Sequence, residues 1–152
     1  MPVRLLTSAT FTRPSDTTTY ASGDLVANNT TAGSVAAMTF TAPLIGRDLK
    51  IRRCRITKSA GPVANGSFRA HFFNGATTVT TGENGAFTPT AMTSYLGFID
   101  VTMASPLGGW GFATDDGAVI WTPLTTTLAT DGLNCLLEAR AAYVPTSAEI
   151  FT

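Results

Sequence analysis

The stretch "LNCLLEARAAYV", residues 133–144, decides the fold. Read with a period of two, it places Leu133, Cys135, Leu137, Ala139, Ala141 and Tyr143 on one face. Asn134, Leu136, Glu138, Arg140, Ala142 and Val144 fall on the other. Side chains alternate across a β-strand, so this pattern predicts a strand with one apolar face and a second that carries Glu138 and Arg140. "SFRAHFF", residues 67–73, repeats the device: Phe68, Ala70 and Phe72 oppose Ser67, Arg69, His71 and Phe73.

Outward from these two segments, turn signals recur. They include Gly23-Asp24, Pro43, Gly61-Pro62, Asn65-Gly66, Asn74-Gly75, Asn84-Gly85, Gly108-Gly109, Asp116-Gly117 and Asp131-Gly132. Such punctuation leaves little room for helices, and the intervening runs are rich in β-branched and aromatic residues. Further strands are predicted over Val3 to Thr10, Ser34 to Thr41, Leu49 to Thr57, Tyr95 to Met103 and Ala118 to Trp121. A short helix is predicted near Thr88 to Ser94, after Pro89. About eight strands with long Thr/Gly-rich connections predict an all-β, two-sheet antiparallel β-sandwich that is jelly-roll-like. No composition break or repeat divides residues 1–152, which read as a single domain.

Composition narrows the function classes. Charged residues make up only 13% of the chain, about half the usual ~25%. Ten basic and ten acidic residues cancel. That balance argues against a nucleic-acid binder driven by phosphate neutralisation, and it favours assembly because self-repulsion is absent. No run approaches the ~20 apolar residues of a membrane span, nor is there a signal-peptide core, so a soluble chain made in the cytoplasm is expected. Cys54 and Cys135 lie far apart with no CxxC or Cys/His ligand pattern and are expected to be free thiols.

No complete catalytic constellation is present. The sole histidine, His71, has Ser67 as the nearest hydroxyl on its own strand face, about 13 Å away at ~3.3 Å per residue. Asp115 and Asp116 read as an ordinary hairpin turn before an apolar strand, without the alternating ligands of a calcium loop. "GGWGF", residues 108–112, lacks the Lys-Ser/Thr of a phosphate loop and reads as a flexible segment inserting Trp110 and Phe112 into a core or interface. No catalytic, metal or cofactor residue is assigned and no enzyme activity is expected; a hydrolase would need His71 or the Asp115/Asp116 pair in a pocket with a convergent partner.

The charge distribution is uneven. "GRDLKIRRCRITK" gathers Arg47, Lys50, Arg52, Arg53, Arg55 and Lys58 against Asp48, while beyond Arg69 the only base is Arg140, against seven acids. Two readings follow: a basic surface that meets an acidic one on another subunit, or an edge strand guarded by its charges. In "FTRPSDTTTYASGDLV", residues 11–26, Pro14 holds Arg13 extended, and three threonines favour extended backbone. Residues 1–26 therefore read as an extended N-terminal arm, with Phe11, Arg13 and Tyr20 as anchors on a neighbouring subunit or shell. The alternative is a loop packed on its own domain.

"FTRPSDTTTYASGDLVAN", "RITKSAGPVANGSFRAHFFN" and the C-terminal "LLEARAAYVPTSAEIF" together resemble small virion proteins of tailed bacteriophages, the capsid decoration or cement proteins. The resemblance implies a jelly-roll sandwich on the capsid surface of the virion, made in the host cytoplasm, bound to the major capsid protein and often a homotrimer. It implies no enzyme activity, cofactor, nucleic acid or membrane. A head-fibre or tail component is the nearest rival. A carbohydrate-binding sandwich that contacts a host-surface glycan would use Trp110, Trp121 and Tyr95 as exposed platforms.

Overall fold

The computed structural model describes residues 6–41, 50–51, 53–59, 66–103, 111–115, 120–121 and 132–152, with 111–115 and 120–121 described by their backbone. Among these described residues, eleven strands run in chain order: β1 (Phe11–Thr12), β2 (Leu25–Val26), β3 (Met38–Phe40), β4 (Lys50–Ile51), β5 (Cys54–Lys58), β6 (Ser67–Asn74), β7 (Tyr95–Thr102), β8 (Gly111–Asp115), β9 (Ile120–Trp121), β10 (Leu133–Ala139) and β11 (Ile150–Phe151).

The pairing order is that of a jelly roll. One sheet runs β1-β11-β5-β8; the other runs β2-β10-β6-β7, with β3 also on β10. β2 and β3 lie along different parts of the same strand, at Leu137–Glu138 and Leu133–Cys135, and so act as two halves of one edge. The first strand thus pairs with the last, and the second with the last but one, all antiparallel. That is the nested arrangement of two Greek keys in an eight-stranded double sheet. β4 and β9 pair beyond the β5–β8 ladder, with Ile51↔Ile120 following Cys54↔Asp115.

β10 shows why the chain folds this way. Its odd residues Leu133, Cys135, Leu137 and Ala139 enter the core between the sheets with Phe68, Ala70, Phe72, Ile99 and Val101. Its even face is buried too: Leu136 joins Leu25, Ala27, Val35, Phe73 and Val79 in a second cluster, against which Phe87 and Tyr95 pack. The alternation is as predicted, but the face predicted to be polar is covered by the segments that carry Ala27, Val35, Val79 and Phe87. Glu138 is consequently buried. The strand ends at Ala139 rather than Val144 because both neighbours stop there: Ala139 N–H meets Asp24 O, and Arg140 N–H meets Ser67 O at the start of β6.

Other boundaries shift. Within the predicted strand Val3 to Thr10, residues 1–5 lie outside the described residues, and residues 6–10 make no ladder; β1 starts at Phe11. Only Met38–Phe40 of Ser34 to Thr41 is strand. The expected helix is a single 3₁₀ turn, Met92–Ser94. Phe112 and Asp115, expected in a loop and a turn, belong to β8, whose partner is β5. β9 pairs with β4, so β8 and β9 do not form the expected hairpin with each other.

Candidate functional site

Three groups of polar side chains are built by this topology. The first joins β1 to the loop after β6. Arg13 donates from Nε and Nη2 to Glu83 Oε1 at 2.9 and 2.6 Å, and from Nη1 to Thr146 O at 3.2 Å. Tyr20 accepts from Arg13 Nε and donates to the same Glu83 oxygen. Burial alone would lower the Arg13 guanidinium; Tyr20 and Glu83 outweigh it and hold the group charged. Burial, then the Glu83 carboxylate, pushes the Tyr20 hydroxyl up. Glu83 reaches this position because Gly82 runs against the backbone of Thr30, where a Cβ would stand 1.8 Å from Thr30 O.

The second group has the same logic with a different cation. Lys58 Nζ donates to Tyr143 Oη at 2.5 Å and to Glu149 Oε1 at 2.8 Å, and Tyr143 Oη donates to Glu149 Oε2. Both charged side chains are almost fully enclosed. Phe68 sets its edge against Tyr143 and Phe151, each 5.4 Å between centroids. The two groups touch: Arg13 N–H donates to Glu149 O, and Tyr20 and Tyr143 form an antiparallel bridge.

The third lies on the outer face of the β6–β7–β10 sheet. His71 Nε2 is 2.8 Å from Glu138 Oε2, and its Nδ1 is 3.0 Å from Tyr95 Oη. The imidazole stacks on Phe87 at 4.2 Å. Burial lowers the His71 pKa, and the Glu138 carboxylate opposes this only in part. Beside it, Arg69 grips Asp100 at 2.6 and 2.8 Å and covers the exposed Phe98 ring at 3.8 Å. Sequence reasoning missed Tyr95 and Glu138 because they sit 24 and 67 residues from His71.

These placements correct the arm reading. Arg13 and Tyr20 are buried in their own domain and are not anchors for a neighbour, because their polar atoms are satisfied internally. Phe11 is half-buried and stacked on Phe151 at 5.4 Å. Of the basic run, Lys58 is buried, while Lys50, Arg53 and Arg55 are exposed; Arg47 and Arg52 lie outside the described residues. The part of this stretch in β5 is not an edge: β5 sits between β11 and β8, and its alternation points Arg55 to the outside and Ile56 and Lys58 to the core, while β4, which carries Lys50, pairs with β9.

Of the platform residues, Tyr95 is half-buried; Trp110 lies outside the described residues, and of Trp121 only the backbone is described. Asp116 also lies outside them. Cys54 is half-buried and Cys135 buried, and the two are not joined in a disulfide. A groove of about 570 Å³ between residues 9–12 and 36–39 is lined by uncharged side chains. Among the described residues no group of three His, Cys, Asp or Glu side chains is placed to hold a metal, and no helix is long and apolar enough to cross a membrane. Comparisons with models of known protein families, with curated proteins and with solved structures find no match to this chain.

Proposed function

We infer that the chain is a structural protein of a phage virion that decorates and stabilises the capsid through oligomeric surface contacts, with a trimer as the favoured assembly. The observation that carries this reading is the outer face of the β1-β11-β5-β8 sheet. Thr10, Thr12, Ile150, Thr152, Arg53 and Arg55 stand there in the open, around the half-buried Thr57. A neutral threonine surface costs less to desolvate than one of Lys and Glu, and two guanidiniums give it directional contacts to an acidic partner. The interior supports the same reading: the polar constellations are satisfied internally, and fold alone assigns no chemistry.

Phe98, exposed on the opposite face beside the Arg69–Asp100 pair, favours a second reading in which the same sandwich contacts a host-surface glycan. Cryo-electron microscopy of intact particles tests the first: density for this fold on the capsid exterior is expected, and density confined to a fibre or tail would overturn it.

A further inference from the structure

Two buried trios of cation, tyrosine and glutamate adjoin one another, Arg13–Tyr20–Glu83 and Lys58–Tyr143–Glu149. They differ in one chemical respect. A guanidinium cannot be deprotonated in a protein and supplies no nucleophile, whereas a lysine that passes a proton to a neighbour is an amine able to attack carbonyl carbon. The second trio holds Lys58 Nζ against a carboxyl group, with the Tyr143 hydroxyl touching both.

We propose that Lys58 and Glu149 are the site of a self-formed covalent cross-link, an amide between Lys58 Nζ and Glu149 Cδ. The geometry supplies the reactants in contact. Nζ lies 2.8 Å from Oε1, so the carboxyl carbon is at most one C–O bond further away, a small torsional adjustment from a near-attack separation of about 3–3.5 Å. Moving one proton along that hydrogen bond turns the ion pair into free amine and carboxylic acid. The Nζ lone pair then adds to Cδ, and Tyr143 donates to the oxygen on which charge develops, Oε2. The Cδ–Oε1 bond breaks, and that oxygen leaves as water with two of the three ammonium protons. The third stays on the amide nitrogen. No oxidant, reductant or co-reactant enters. Enclosure by Phe68, Phe151 and Tyr143 limits the return of water, which would hydrolyse the product.

The link would close a loop across 91 residues, between β5 and the residue preceding β11. It would tie the segment that leads into β11 to β5, the strand with which β11 pairs. The proposal is independent of the capsid reading, since a covalent bond is measured in the isolated chain.

Intact-mass measurement of the purified, folded protein tests it. The expected mass is one water, about 18 Da, below that of the sequence. Proteolytic mapping should then recover a branched peptide that joins Lys58 to Glu149. Lys58→Arg should restore the full mass, and Tyr143→Phe should slow the loss over a time course of refolded protein. Folded wild-type chain that keeps the full mass after prolonged incubation, with Lys58 and Glu149 in linear peptides, overturns the proposal. So does a loss of water that maps elsewhere, such as to Asp116-Gly117 or Asp131-Gly132.

Discussion

The rings of Tyr20 and Tyr143 stack 6.1 Å apart and 12° from parallel, and each hydroxyl ends on a buried carboxylate that a buried cation also holds. This pairing fastens the segment after β1 to the segment after β10 through polar groups in a place where apolar contact would be expected.

Removing one partner of such a cluster should cost more than exchanging all of it. Glu83→Ala leaves the enclosed Arg13 with only the longer ionic contact to the partly exposed Asp16, at 3.3 Å, and should destabilise by about 3–5 kcal/mol. A combined Arg13→Met, Glu83→Leu, Tyr20→Phe variant should lose less than the single change does. Denaturant unfolding of both variants checks the order; a single mutant as stable as the wild type would show that Arg13 finds water.

Leu137 is fully buried in the inter-sheet core, where it pairs with Ala70 and Val26. Leu137→Ala should destabilise by about 2–5 kcal/mol through lost burial and the cavity left behind, measured by the shift in denaturant midpoint.

The loop that carries Glu83 depends on the absence of a side chain at residue 82. Gly82→Ala drives a methyl into Thr30 O, a backbone atom that cannot rotate away. A loss of about 1–3 kcal/mol is expected. Thermal melting should show it, together with faster proteolysis within residues 76–91.

Acid should weaken the fold through the outer cluster. The folded His71 pKa lies below its ordinary value of 6.5, so the unfolded chain binds the extra proton first. The stability this neutral ring confers is present above pH 6.5 and declines as the pH falls through the lower folded value. Asp100, held below its ordinary value by Arg69, adds a loss in the same direction at lower pH. Melting temperatures recorded from pH 7.5 downward should fall, and His71→Gln should flatten the first part of that curve.

Surface charge should matter to assembly more than to folding. Arg53→Glu with Arg55→Glu lies on exposed positions and should weaken assembly more than it lowers the denaturant midpoint. Sedimentation and capsid occupancy should fall. Full occupancy by the double variant would remove this face from the interface.

Strand alternation was legible wherever a strand has apolar residues at every second place: β6, β7 and β10 lie within their predicted spans or within one residue of them. What escaped was set by distance along the chain. The predicted exposure of Glu138 failed because loop segments cover its face, which no local pattern records. Arg13 beside Pro14 looked like a free anchor because its acid, Glu83, lies 70 residues on. Lys58 looked like one more surface base, although its even spacing from Cys54 and Ile56 places it on the inward face. That signal was in the sequence and was masked by the neighbouring arginines.

The pairing of Phe11 with Phe151 also sets a clock on synthesis. β1 is made about 140 residues before the strand it must join, so at 5–20 residues per second it waits roughly 7–28 s. During that interval the backbone of β1 and the ring of Phe11 lack the strand and the Phe151 ring they pair with, and the sheet that contains β5 and β8 lacks its bridging strand. Closure then proceeds through contacts of high sequence separation, which are slow to form. The nascent chain is therefore most exposed to misassembly with another copy just before β11 appears.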